Sequence, residues 1–188
     1  MAGEPATDGN RGRGYKRYRA IPARDVDMTA ATKRIYLAGP LGFSELGRLG
    51  LEAVAAVGRT FGHEIVDPFA LTPPEQIESI ARLGSLEAQR NAWRDLNRRI
   101  GAANVRAIDS CDLVLAILDG ADVDSGTAAE IGYAFARGKL VLGYRGDFRL
   151  AADNAGSTVN LQVEYFILAS GGEILASLDA LRARLAEL

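Results

Sequence analysis

The chain of 188 residues has one cysteine, Cys111, and one histidine, His63. A lone cysteine excludes an intrachain disulfide and fits a reducing, cytoplasmic setting. A lone histidine excludes the usual Cys/His zinc spacings and any triad that needs a second histidine. No apolar run approaches the ~18–20 residues of a membrane span, and the polar N-terminus lacks the apolar region of a signal peptide. Phosphate-cradling motifs are also missing. In "AGPLGFSELG" (38–47) Pro40 and Leu41 follow the first glycine, which breaks G-x-G-x-x-G, and no Gly-Lys-Ser/Thr occurs anywhere.

Hydrophobic residues make up 48% of the chain and mean hydropathy is close to zero, the balance of a soluble globular protein of one domain. Charge is uneven. Residues 1–33 carry seven Lys/Arg against four Asp/Glu, and the remainder carries 15 against 20. The leader, 1–32, is Gly- and Arg-rich without apolar periodicity, and it reads as disordered. Tyr15 and Tyr18 lie among Lys16, Arg17 and Arg19, a pattern open to a nucleic-acid-binding arm, a solvated tail, or an upstream extension with translation starting at Met28. The plain tail or extension is the expected reading, with the folded domain over 33–188.

From residue 33 onward, short apolar runs alternate with helical patterns. "KRIYLAGP" (33–40) predicts a strand closed by Gly-Pro. Ser44 is placed to cap a helix whose apolar face is Leu46, Leu49, Val54, Val57 and Phe61. "HEIVDPF" (63–69) predicts a second strand stopped by Asp67-Pro68, and prolines in first-turn positions open a helix within 72–84. A long helical stretch covers about 87–108, flanked by Leu86 and carrying Trp93, Leu96, Ile100, Val105 and Ile108. The unbroken run "DLVLAIL" (112–118) predicts a strand covered on both faces. A helix over about 127–137 is stopped by Gly138, and "KLVLGY" (139–144) predicts another buried strand. Residues 145–158 read as loop, and 159–170 and 175–188 as helices. This alternation predicts an α/β fold: three layers, doubly wound and flavodoxin-like, on a mainly parallel five-stranded sheet.

In such sheets ligands sit beyond the carboxyl ends of the strands, where strand order reverses. The loops of interest are therefore 38–45, 67–74 and 118–127. The first is small and apolar (Gly39, Pro40, Leu41, Phe43) with no Lys or Arg before Arg48, so it suits a flat uncharged ring better than a phosphate. Phe43 taken alone reads equally well as a core side chain. The third, "LDGADVDSGTAAEIGYAFARGK" (118–139), crowds Asp119, Asp122, Asp124 and Glu130 around Gly126-Thr127.

Glu130 has two competing readings. Thr127-Ala-Ala-Glu130 has capping-box spacing, with Glu130 reaching back to its own helix start. Alternatively, Glu130 is a nucleophile kept ionised by the helix dipole, with Asp124 supplying a second carboxylate in the same space. Paired carboxylates suit glycosidic-bond cleavage: one attacks the anomeric carbon while an acid protonates the leaving group. That chemistry needs no metal and no cofactor. Tyr36, within a strand, is core by default, but a buried hydroxyl needs a partner, and Glu130 is available. Asp67 is either a strand stop or a substrate contact. Asp119 and Asp122 read as solvated charges, His63 and Cys111 as structural. Arg145, Asp147 and Arg149 read as a charged surface loop, with a lid or subunit contact as the other option.

"RIYLAGPLGF", "DLVLAILDGADVDSGTAAEIGYAFARGK" and "VNLQVEYF" together resemble the nucleoside 2-deoxyribosyltransferase family, from about Arg34 to the C-terminus. The D-x-G-T-x-x-E-[IV]-G-x-A block is the most specific part. The resemblance implies that Glu130 is the nucleophile forming a covalent 2-deoxyribosyl ester, that Tyr36 orients it, and that Asp124 faces the base and assists its protonation. It places Gly39, Pro40, Leu41 and Phe43 in the base pocket; Gly126, inside the block, and Asp67, by its loop position, are further substrate-binding candidates. Asn104 stands where many relatives carry an aspartate directed at the sugar; an asparagine can bond a hydroxyl but is no anionic acceptor. Asn160 matches an asparagine that enters a neighbouring subunit's site to hold the sugar 5′-hydroxyl, which implies a homo-oligomer.

The expected activity is therefore transfer of a 2-deoxyribosyl group between nucleobases by a retaining double displacement. Its partners would be nucleosides and nucleobases, with no membrane and no nucleic acid. One alternative is an N-glycosidase hydrolysing a nucleoside 5′-monophosphate; such relatives usually place Ser, Arg or other donors in the first loop, where this chain has Gly-Pro-Leu-Gly-Phe. Another is a non-catalytic nucleoside- or nucleotide-binding module, against which stand both carboxylates and the tyrosine.

Overall fold

A strand buried on both faces needs apolar side chains at successive positions, and the inner strands of the computed structural model have them. β1 (Arg34–Ala38), β3 (Leu113–Ile117) and β4 (Leu140–Tyr144) lie side by side and parallel, with Ile35 to Ala38 and Val114 to Ile117 fully buried. β2 (Glu64–Val66) and β5 (Ile174–Leu175) form the edges. The order is β2-β1-β3-β4-β5, all parallel, so the fold expectation holds. The structure describes residues 31–188; apart from its last two positions, the leader expected over 1–32 lies outside the described residues.

Six α-helices cover the sheet among the described residues: α1 (Glu45–Thr60), α2 (Pro74–Ala81), α3 (Leu86–Ser110), α4 (Ser125–Ala136), α5 (Leu161–Ala169) and α6 (Leu178–Leu185). The pleat sorts strand side chains by parity. Ile35, Leu37, Leu113, Leu115 and Ile117 pack with α1 and α6. Tyr36, Ala38, Val114, Ala116 and Leu118 pack with α3, α4 and α5. Side-chain caps satisfy orphan amides at several helix starts: Ser44 accepts from Gly47 N (3.0 Å), Ser85 from Ala88 N (3.2 Å) and Ser177 from Ala180 N (3.1 Å).

Three local expectations are corrected. The α1 face is buried through Leu51, Val54, Ala55 and Gly58, while Leu46 and Leu49 stay exposed. The first turn of α1 packs back on the Pro40–Phe43 turn rather than on the sheet, with Gly47 against Leu41 O. The stretch 175–188 does not begin as helix: Ile174–Leu175 extends beside β4, and α6 starts only after the Ser177 cap. A two-residue edge strand has too little sequence to show a period. In α3, Leu86 and Val105 face outward and only Leu96, Ala107 and Ile108 are buried.

Strand order reverses between β1 and β3, whose neighbours β2 and β4 lie on opposite sides. The loops leaving β1 and β3 therefore diverge and open a crevice at their carboxyl ends.

Candidate active site

At that crevice the β1 pleat turns Tyr36 toward α3 and α4, where the ring is fully buried. A phenol enclosed this way needs an acceptor at its tip. Tyr36 Oη donates to Oε1 of Glu130 at 2.7 Å, joining positions 94 residues apart. Asn104 on α3 donates from Nδ2 to the same Oε1 at 3.3 Å. Both donors grip one carboxylate oxygen, and Oε2 accepts no hydrogen bond from the described residues. Asn104 Oδ1 is buried without a partner among the described residues.

The capping-box reading of Glu130 fails. α4 begins at Ser125 and its cap is Asp124, whose Oδ2 accepts from Thr127 N at 2.9 Å and Thr127 Oγ1 at 3.2 Å. Thr127 is thus a buried helical residue rather than a cap. The cap lies three residues earlier than the Thr/Glu spacing indicated, so Glu130 falls in the second turn with its side chain directed at Tyr36. The dipole argument changes with it, because that field fades beyond the first turn. Burial instead raises the Glu130 pKa above the ordinary carboxylate range. The Tyr36 bond opposes that rise, the negative charge of Asp124 adds to it, and the Asn104 bond opposes it more weakly. Burial, then the Glu130 charge and hydrogen bond, push the Tyr36 phenol far upward, so it remains a donor. The ensemble is a half-buried carboxylate with one oxygen fixed and the other available, geometry suited to nucleophilic attack.

The remaining expected residues divide. Pro40–Phe43 forms a 3-10 turn at the end of β1. Gly42 lies so near the Phe69 ring that a β-carbon would meet it at 2.2 Å. Phe43 is no core residue: it is 80% exposed, and its ring packs edge-on to Phe69 with centroids 4.8 Å apart. Arg48 stands over the other partner of that pair, 5.7 Å from the Phe69 centroid. Leu41 packs with the α1 core, and Gly39 is buried against Ile117. Asp67 caps a short turn through Phe69 N (2.9 Å), yet its charge still reaches Tyr36. Gly126, exposed in the first turn of α4, sits tightly against Asp124 Oδ2.

Asn160 is the cap of α5, accepting from Gln162 N at 3.0 Å and Val163 N at 3.4 Å. It lines a cleft of about 360 Å³ with Ala121, Asp122 and Leu150 to Asp153. Glu130 and Tyr36 do not line this cleft. Sequence reading did not anticipate the places of Phe69, packed against Phe43 and Arg48, and of Arg145. Phe69 follows a Pro in an apolar loop, where nothing separates a pocket wall from core. Arg145, expected on the surface, is 3% exposed. His63 is structural, bridging Lys33 N at 3.2 Å and Leu185 O at 3.1 Å.

A family model described as nucleoside 2-deoxyribosyltransferase matches residues 35–162. No curated protein sequence gives a significant match. Among solved structures, a conserved protein from Enterococcus faecalis V583 aligns with TM-score 0.63 and 23% identity, covering 84% of this chain and 99% of that one. The 2-deoxyribosyltransferase of Bacillus psychrosaccharolyticus aligns with TM-score 0.52 and 23% identity, covering 81% and 95%. The CMP N-glycosidase BcmB of Clostridium botulinum aligns with TM-score 0.50 and 18% identity, covering 83% and 100%. At these identities the structural likeness is one of fold.

Proposed function

Since the chain belongs to the nucleoside 2-deoxyribosyltransferase family, we propose that it transfers a 2-deoxyribosyl group between nucleobases through a covalent ester on Glu130. The observation that carries this reading is the grip of Tyr36 and Asn104 on Oε1 alone. It leaves Oε2 to form a bond to C1′ of the sugar as the C1′–N bond breaks. The bond's electron pair leaves on the base nitrogen, and Asp124 supplies the proton there. An acceptor base, passing its N–H proton to Asp124, then attacks C1′ from the vacated face, breaking the ester and returning the electron pair to Oε2. Two inversions retain configuration. Gly39, Pro40 and Phe43, with Phe69 behind them, would hold the ring of the base, and Asn104, bonded to Glu130, would face the sugar.

The ester survives for an acceptor base only where water is kept away. Glu130 is half-buried in the single chain, so a neighbouring subunit would complete the enclosure. The exposed Leu161, Tyr165 and Leu168 on one side of α5 supply an apolar surface for such an assembly, near the Asn160 cap. No helix among the described residues is long and apolar enough to cross a membrane. The test is mass spectrometry of protein quenched with a deoxynucleoside. The expected result is a deoxyribosyl adduct on the peptide holding Glu130, absent in Glu130→Ala, which also loses base exchange. Near-normal exchange by Glu130→Ala would end the proposal.

A second reading has one observation in its favour. Arg48 places a cation beside the Phe43–Phe69 pair, at the rim of the expected base pocket. A 5′-phosphate could meet it, and water rather than a base would then take the ester, giving an N-glycosidase of nucleoside monophosphates. Assaying a deoxynucleoside and a nucleoside monophosphate side by side, with and without acceptor base, separates the two.

A further inference from the structure

We propose that Arg145 is a positioning residue that fixes the width of the cleft beside Asn160 by binding two of the loops that line it. Its backbone N donates to Leu175 O at 2.9 Å, which places it at the carboxyl end of β4. From there Nη1 donates to Leu118 O, while Nη2 donates to Gly120 O at 3.1 Å and to Arg149 O at 2.7 Å. The first two carbonyls belong to the loop leaving β3, the third to the loop leaving β4. Both loops line the cleft, the first through Ala121 and Asp122 and the second through Leu150. A second tie, Asp147 N to Asp119 Oδ1 at 2.9 Å, joins the same two loops. Gly120, at φ +133°, makes the bend that turns its carbonyl toward the guanidinium.

Charge makes the arrangement more than loop packing. A guanidinium 3% exposed is costly to desolvate, and although, behind the Arg149 hydrogen bonds, its charge helps hold the Asp147 carboxyl below the ordinary range, its own hydrogen bonds go to backbone carbonyls. Its Nε is buried without a partner among the described residues. The planar fork meets the three carbonyls from two separate nitrogens, a spread that a lysine ammonium, with all its donors on one atom, does not reproduce. The cleft so positioned carries Asn160 in its lining, while Asp124, four residues beyond Gly120, is held separately by Thr127 N and Oγ1 at the start of α4. Glu130, Tyr36 and Asn104 lie outside the clamp. Disturbing it should therefore weaken substrate binding more than turnover.

The kinetic arm rests on the base-exchange reading; the exchange arm below does not. In Arg145→Lys, KM for a deoxynucleoside is expected to rise about tenfold or more, with kcat within about threefold of wild type, the signature of lost binding. Asp119→Ala, which cuts the second tie from a half-exposed position, moves KM the same way and serves if the lysine variant does not fold. Merely structural support would lower kcat through fewer folded molecules and leave KM alone; that result, or no change in either constant, overturns the proposal. Hydrogen–deuterium exchange on both variants should show 119–123 and 146–150 losing protection together, while β1 and β3 keep theirs. Unchanged protection overturns the clamp. If wild type performs no base exchange, the activity proposal fails, and this measurement alone decides the clamp.

Discussion

Replacing Tyr36 by phenylalanine removes one oxygen from a fully buried ring and one of the two hydrogen bonds on Glu130 Oε1. That bond favours the ionised carboxylate. Without it, burial and the Asp124 charge act against Asn104 alone, so Glu130 holds its proton to higher pH. The pH dependence of kcat/KM reports groups of the free enzyme, which is the state described above. On the acid limb the rate follows the ionised fraction of Glu130, so the variant-to-wild-type ratio there measures the lost bond directly. A hydrogen bond to a charged group contributes about 1.5–3 kcal/mol. At about 1.4 kcal/mol per factor of ten, Y36F should be roughly 10- to 150-fold slower on that limb. Above the limb both enzymes are ionised, and the gap should narrow to whatever orientation contributes. The assay is chromatographic base exchange between a deoxynucleoside and a free base across the pH range. A limb that stays in place or moves to lower pH, or a deficit constant at every pH, refutes the reasoning.

Three further outcomes are expected. Because burial raises the folded-state pKa of Glu130, its stabilising protonated form is fully present below the unfolded pKa and lost as pH rises through the folded one. Glu130→Gln should therefore melt above wild type at neutral pH, by roughly 2–4 °C per kcal/mol regained, and the curves should converge below the ordinary glutamate range. Asp124→Ala loses the α4 cap and about 0.5–2 kcal/mol of stability, whereas Asp124→Asn keeps it. Both variants should slow base release by about 10²–10⁴-fold, so wild-type turnover by Asp124→Asn would remove it as the proton donor. Asn104→Asp sets a second negative charge beside Glu130 and should move the limb to higher pH, read in the same assay.

Much of the architecture was legible because burial on both faces imposes unbroken apolar runs, as in Leu113–Ile117 and Leu140–Tyr144. β5 was not, since two residues beside β4 are held by its carbonyl and amide partners and carry no pattern of their own. At the site, local spacing offered Glu130 as cap or nucleophile, and only a tyrosine 94 positions away settles where its oxygen goes. The same limit hid Arg145. A charged residue in a polar loop looks solvated until the carbonyls of Leu118, Gly120 and Arg149 are seen to converge on it. Asp124 shows the reverse case: its cap was readable in principle as D-x-x-T, but the Thr-x-x-Glu spacing beside it competed for the same turn.

α4 carries Asp124 at its start and Glu130 in its second turn, about 9 Å further along the axis at 1.5 Å per residue. Tyr36 and Asn104 belong to other elements, β1 and α3. A rigid slide of this one rod, pressed by the Phe135–Phe166 contact with α5, would leave Asp124 and Glu130 in fixed relation to each other. It would alter how tightly the two donors clasp Oε1. The spacing of Asp124 and Glu130 is thus set within α4 itself, while the clasp on Oε1 depends on how that rod seats between α5 and the β1 and α3 donors.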